Sequence, residues 1–234
     1  MQVFYQPEIP TGAHHLEPEE SRHCIKVLRK QSGDIIHITD GKGFFYTANI
    51  VKADPRQCTF KIIEKNPESK KNHHIHIAIA PTKNLDRTEW FVEKAVEVGV
   101  DEISFVICEN SERKILNPDR LERKAISAMK QSLKASLPTL HAAIHFHDFL
   151  EKLSTIDVKY IAYIDKENPS PHLKTLLHPK QSYCILIGPE GDFSPNEVAL
   201  AQQKGFQTVS LGNSRLRTET AGIAACVMLN LYND

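Results

Sequence analysis

Two short apolar runs near the C-terminus, Ile185-Leu186-Ile187 and Val209-Ser210-Leu211, each end at a glycine, Gly188 and Gly212. Runs of this length bounded by turn residues are the pattern of strands buried on both faces in a parallel sheet. Between them, Ser194-Pro195-Asn196-Glu197 is a capping box with proline at the first helical position. A helix therefore starts there, Gly205 ends it, and strand, helix and strand complete a βαβ unit. Ligands of open α/β sheets sit beyond the carboxyl ends of such strands, where a glycine lets a ligand approach the main chain. The two glycine loops thus read as a small-molecule site. Residues 221–231, rich in Ala, Ile, Val, Met and Leu, read as a buried terminal helix.

The same alternation begins near residue 76. Residues 77–80, 103–107 and 160–164 read as strands. Asp86 with Glu89 reads as a capping box for a helix with Phe91, Ala95 and Val98 on one face and Gly99 as its stop. Asn117-Pro118 opens another helix, carrying Leu121, Ala125 and Ala128 on one side. These elements predict an α/β domain with a mostly parallel sheet and helices on both faces. Residues 3–5 read as a strand and 19–28 as a short helix. Three alternating stretches follow, Ile36/Ile38, Phe44/Tyr46/Ala48/Ile50 and Phe60/Ile62, separated by turn signals, which is the pattern of a small β-barrel. The polar, unpatterned stretch Asn66-Pro67-Glu68-Ser69-Lys70-Lys71-Asn72 divides the two patterns, so the expected domains are residues 1–70 and 73–234.

Composition narrows the function. Lys+Arg and Asp+Glu balance at 29 each, so RNA or DNA binding has to rest on local patches rather than on net charge. One such patch, Arg22, His23, Lys26, Arg29 and Lys30, lies on the short N-terminal helix, and Lys61, Lys65, Lys70 and Lys71 extend it. No apolar run approaches membrane-spanning length and the start lacks a signal peptide's pattern, so a soluble, cytoplasmic protein is expected. The five cysteines lack metal-ligand spacing and read as reduced core residues. The histidines, including His73-His74 and His76, read as exposed or strand-edge residues rather than a zinc site. Gly188-Pro189-Glu190-Gly191 does not match the dinucleotide spacing, and a P-loop is absent.

Leu186-Ile187-Gly188-Pro189-Glu190-Gly191, followed by Leu211-Gly212 and by Arg215-Leu216-Arg217-Thr218-Glu219-Thr220-Ala221, closely resembles the signature of the RsmE family, 16S rRNA uridine-N3 methyltransferases of the SPOUT superfamily. His23, Lys26-Val27-Leu28-Arg29, Lys94, Glu97-Val98-Gly99-Val100 and Gln131-Ser132 resemble further family motifs in the same order. The resemblance implies an N-terminal PUA-like RNA-binding β-barrel and a C-terminal α/β domain whose last segments thread a trefoil knot around S-adenosylmethionine. It also implies a homodimer acting on 16S rRNA within the small ribosomal subunit, without a metal. The departures from the family pattern are Asp192 for a second glycine, Lys130 for a glutamate, Lys134 for an arginine, and Gln2 near the first strand. Aspartate tolerates a left-handed backbone, so the loop is expected to survive.

On that resemblance the cofactor-binding residues are Ile187, Gly188, Pro189, Glu190, Gly191, Leu211, Gly212, Asn213 and Leu216. Methylating uridine N3 requires loss of an imide proton and alignment of the nitrogen with the methyl carbon, a step carried by positioning and electrostatics. Arg217, with Arg215 second, is the candidate for stabilising the uridine anion or binding its phosphate. Glu219 accepts a proton, docks Arg217, or simply sits where a helix dipole favours a carboxylate. Glu190 lies near the sulfonium or orders its loop. Two other readings remain: ribose 2′-O-methylation, whose usual N-terminal Asn-Arg pair is not found, and an RNA-binding factor without catalysis.

Overall fold

The computed structural model describes residues 2–69, 71–153, 156–164 and 169–233. Two compact units emerge: residues 1–70 with 126–137, and residues 71–125 with 138–234. Lys70 of the expected basic extension lies outside the described residues.

In the first unit a four-stranded sheet runs in the order β1 (Val3–Tyr5), β2 (Ile35–Thr39), β3 (Phe44–Lys52), β4 (Thr59–Pro67). The first pair is parallel and the other two antiparallel. Alternation along β3 sends Tyr46, Ala48 and Ile50 inward, where they meet Phe4, Leu16, Cys24, Ile36, Ile38 and Phe60. Ile62 departs from expectation. It stays in register opposite buried Ala48, two residues from Phe60, yet is 39% exposed; the register shift between Thr47 and Ala48 falls just after it and leaves Ile63, 57% exposed, as the unpaired residue of β4. The strand also runs on through Asn66 and Pro67, taking up the start of the expected linker. Helix α1 (Pro18–Arg22) continues as a π-helical turn over His23–Val27, matching the expected short helix.

Residues 126–137 complete this unit, although the sequence placed them with the second domain. Their attachment is polar and long-range. Glu68 accepts from the Ala135 N–H at 3.0 Å and the Ser136 hydroxyl at 2.7 Å, while Thr39 donates to the Ala135 carbonyl at 3.1 Å. Lys130 pairs with Glu20.

The second unit is built on a parallel sheet in the order β11 (Gln207–Val209), β9 (Val158–Ala162), β10 (Ser182–Ile187), β5 (His74–Ile79), β6 (Glu102–Ile107), β7 (Thr139–Leu140), with β8 (Ile144–His145) also on β6. Central β10 and β5 are almost wholly buried, which explains why they read as apolar runs. Helix α2 (Leu85–Val98) is capped by Asn84, whose side chain accepts from the Asp86 N–H, and not by the expected Asp86. Asp86 sits in the first turn, and the expected partner Glu89 is buried against Arg120. Gly99 closes α2 in the left-handed conformation at φ 112°. Helix α3 (Pro118–Gln131) begins at Asn117-Pro118 as expected.

Helix α4 (Phe146–Lys152) buries Phe146, Phe149 and Leu150. Helix α5 (Pro195–Gln203) starts on the complete Ser194–Glu197 capping box. The last helix, α6 (Thr218–Asn233), begins earlier than the apolar run suggested and takes in Thr218 and Glu219. It is not buried throughout, because Leu231 and Tyr232 are 72% and 46% exposed. It packs on α2 and β5 through Gly222, where a Cβ would lie 2.6 Å from Phe91 Cε2 and 2.9 Å from Ile79 Cδ1. All five cysteines are buried and none is in a disulfide. No helix among the described residues is long and apolar enough to cross a membrane.

Candidate active site

Parallel strands deliver their carboxyl ends to one edge of the sheet, and there the loops after β5, β6 and β10 tie together. The loop after β10 is held from several directions. Thr218 Oγ1 donates to the Gly188 carbonyl at 3.0 Å. Glu190 Oε1 accepts from the Lys83 N–H at 3.0 Å, and Asn110 Nδ2 donates to the Gly191 and Asp192 carbonyls at 3.3 and 3.0 Å. Inside the loop, the Asp192 N–H donates to the Pro189 carbonyl at 3.0 Å, closing a turn. Asp192 adopts φ 63°, the left-handed backbone expected of the residue replacing glycine. Its Oδ1 accepts from the Phe193 N–H at 2.8 Å. Burial pushes its carboxyl above the usual range, while that hydrogen bond and the Arg215 charge oppose the rise.

The glycines divide in role. A Cβ at Gly188 would meet the Phe193 ring at 3.1 Å, and one at Gly191 would meet Asn110 Cβ at 3.1 Å. Gly188 lets the loop fold on itself, and Gly191 lets the loop after β6 approach it closely. Gly212 differs: its φ is 129°, and a Cβ there would meet nothing nearer than His172 Nε2 at 4.0 Å. Its outer face is open to a ligand, which fits the close backbone approach an adenosyl group requires. The Ser210 hydroxyl fixes this turn, accepting from the Gly212 N–H at 3.1 Å and donating to its carbonyl at 3.2 Å.

The charged candidates separate by burial. Asn213, Arg215 and Arg217 are exposed, Leu211 and Leu216 half-buried, and Glu219 is 8% exposed. Glu219 does not dock Arg217. The guanidinium beside it is that of Arg87 on α2, with Nε 3.8 Å from Oε1. Glu219 Oε2 is buried with no hydrogen-bond partner. The short distance from Thr218 to Gly188 and the Arg215 charge felt at Asp192 bring the two glycine-loop segments together. Arg87, Asn110 and His172 were not singled out in the sequence. Asn110 and His172 follow strands at the same edge, a position that sequence alone could have flagged.

In the first unit Arg22, Lys26 and Arg29 are exposed, and His23 and Lys30 half-buried. His76, expected at a surface, is instead 2% exposed and shares a 2.8 Å hydrogen bond with Ser104. It lies on central β5, where both faces are covered. Among the described residues no group of three or more His, Cys, Asp and Glu stands where it could hold a metal ion.

A family model described as an RNA methyltransferase domain matches residues 69–230, and one described as an RNA methyltransferase PUA domain matches residues 16–63. The Ribosomal RNA small subunit methyltransferase E of Mesomycoplasma hyopneumoniae is 31% identical over 207 residues, covering 85% of this chain and 86% of that protein. Among solved structures, a chain described as a probable rRNA-methyltransferase from Porphyromonas gingivalis superposes with a TM-score of 0.94 at 44% identity, covering 100% of this chain and 98% of that one. Ribosomal RNA small subunit methyltransferase E from Neisseria gonorrhoeae, bound to S-adenosyl methionine, gives 0.86 at 28% identity, covering 100% and 98%.

Proposed function

This chain belongs to the RNA methyltransferase family that includes ribosomal RNA small subunit methyltransferase E, and from that premise we propose that it methylates N3 of a uridine in the decoding region of 16S rRNA, using S-adenosylmethionine. The observation that carries the cofactor assignment is the joining of the two glycine-bearing segments at one sheet edge by the Thr218–Gly188 hydrogen bond, with Gly212 open beside them. In this reading Ile187, Gly188, Pro189, Glu190 and Gly191 form one wall of the cofactor site, and Leu211, Gly212, Asn213 and Leu216 the other. When bound, the cofactor supplies an electrophilic methyl group on a sulfonium.

The chain's own residues hold the target and manage its charge. Arg217, exposed just before α6, faces the RNA and stabilises the negative charge that develops on the uridine ring as the imide proton leaves. Arg215 assists from the same loop. Glu219 is the candidate acceptor of that proton: its Oε2 is buried and unpartnered in the first turn of α6. Arg87 beside it orients the carboxylate. Glu219 would hold the proton lost from N3, and the two walls would hold S-adenosylmethionine as it supplies the methyl group to N3 and departs as a neutral thioether.

The finer architecture belongs to the same proposal. The four-stranded first unit closes as a PUA-like barrel, and Arg22, His23, Lys26, Arg29 and Lys30 bind RNA phosphates. The segments around β10 and α6 thread a trefoil knot, and two copies form a homodimer acting on small ribosomal subunits in the cytoplasm. Arg217→Ala tests the catalytic assignment. Transfer to small-subunit RNA should fall at least about a hundredfold, the scale of losing one charge-stabilising donor, with cofactor affinity and thermal midpoint unchanged. Normal turnover in that variant overturns the role of Arg217.

A further inference from the structure

The first unit contains a cavity of about 430 Å³ lined by Gln2, Phe4, Leu28, Lys30, Ile35 and Ile36, together with His37. It lies apart in sequence from every residue assigned above to the cofactor. Its walls combine apolar surface with three groups able to hydrogen-bond: an amide, an imidazole and an ammonium. That is the composition of a site for a flat, partly polar ligand, and the volume lies within the usual range of about 300–1,000 Å³ for small-molecule pockets. Leu28 and Ile35 at its rim are 36% and 52% exposed, and neighbouring Val27 is 66% exposed.

The surrounding charge selects the ligand. Lys30 is part of the wall, His23 packs edge-on against Phe4 with ring centroids 6.2 Å apart, and Arg29 is an exposed cation between two wall residues. The backbone there is shaped at a cost. The π-turn closes with the Leu28 N–H on the His23 carbonyl at 3.0 Å, and the Lys30 N–H returns to the Cys24 carbonyl at 3.1 Å. This wrap forces Arg29 to φ 56°, a position where glycine is the easier residue. Leu28 and Lys30 are thereby turned to the cavity while a cation, not a glycine, stands between them. Strained positions of this kind persist where the surrounding structure uses them.

We infer that this cavity receives one unstacked base of single-stranded RNA, with Lys30 and Arg29 taking the adjoining phosphates. Single-stranded RNA is recognised by bases splayed from the stack, packed on side chains and hydrogen-bonded along their edges. The inference rests on the rRNA reading of the chain, and it assigns to the first unit a base contact in addition to phosphate attraction.

The test uses the full chain and two neutral rim variants, Ile35→Ser and Leu28→Ser, which leave every charge in place. Affinity is measured for a short oligouridylate and for an abasic strand of equal length and charge, and methyl transfer by the unaltered protein is assayed in parallel. The pocket predicts that each variant weakens oligouridylate binding at least about fivefold, the scale of losing one partly buried apolar side chain from the contact, with abasic-strand affinity and salt dependence unchanged. Equal affinity of wild type and both variants for oligouridylate, or equal losses on both strands, overturns the pocket. Absence of methyl transfer by the wild type would instead refute the activity, so the two failures are distinguishable. Thermal midpoints of the variants confirm folding; both substitutions are at exposed rim positions, and each variant stands in for the other should one misfold.

Discussion

The hydroxyl of Thr218 donates to the carbonyl of Gly188 across 3.0 Å, so the first residue of α6 holds the first residue after β10. One hydrogen bond thereby sets the spacing of the two loops assigned to the cofactor. Thr218→Val keeps the shape and removes the donor. A hydrogen bond of this type contributes about 1 kcal/mol, so the dissociation constant for S-adenosylmethionine should rise about fivefold, while Thr218→Ser should bind as the wild type does. Calorimetric titration of the three proteins checks this, and equal affinities would show that the loops are held by other contacts.

Glu190 offers a cleaner division of two roles. Its Oε1 accepts from the Lys83 N–H, an interaction that glutamine can reproduce and alanine cannot. If the side chain orders the loop, Glu190→Gln should retain cofactor affinity and Glu190→Ala should lose it. Equal losses in both variants would mean that the negative charge itself acts on the sulfonium.

Gly222 sets how closely α6 lies on its neighbours. A methyl group there would sit 2.6 Å from Phe91 Cε2 and 2.9 Å from Ile79 Cδ1, both on buried side chains. Overpacking of this kind costs about 1–3 kcal/mol. Gly222→Ala should therefore lower the urea midpoint, and Phe91→Leu in the same chain should restore part of it. A midpoint unchanged in the single variant would contradict this packing.

Burial lowers the pKa of His76 to about 4, against the weaker opposing effect of Glu102. The unfolded chain binds this proton below its ordinary value of 6.5, whereas the folded chain refuses it until about pH 4. The resulting stability is complete above pH 6.5 and is lost as the pH falls toward 4. The full shift corresponds to about 3 kcal/mol as an upper bound. Urea unfolding of wild type and His76→Leu between neutral and acidic pH should show a flatter pH dependence in the variant; parallel curves would place the proton uptake on other groups.

Much of this fold was legible because its signals are local. The Ser194–Glu197 capping box, the left-handed stop at Gly99 and the inward alternation of Tyr46, Ala48 and Ile50 each involve residues a few positions apart. The failures have a different character. Asn84 displaced Asp86 as the cap because both residue types suit the position, and only the backbone decides which is extended. The attachment of residues 126–137 to the first unit depends on Glu68 and Thr39 meeting Ala135, pairings that no periodicity encodes. Burial of His76 follows from the central place of β5 in the sheet order, which strand patterns do not give. At the site, the glycine loops were legible from strand ends and motif resemblance. The Arg87–Glu219 pair joins two helices distant in sequence and was not.

The most direct measurement is methyl transfer from labelled S-adenosylmethionine to small ribosomal subunits lacking the modification, followed by mass spectrometry of the released nucleosides. The account predicts 3-methyluridine with the wild-type protein and its loss with Arg217→Ala. A ribose-methylated nucleoside, or no transfer by a protein that binds the cofactor, would contradict it.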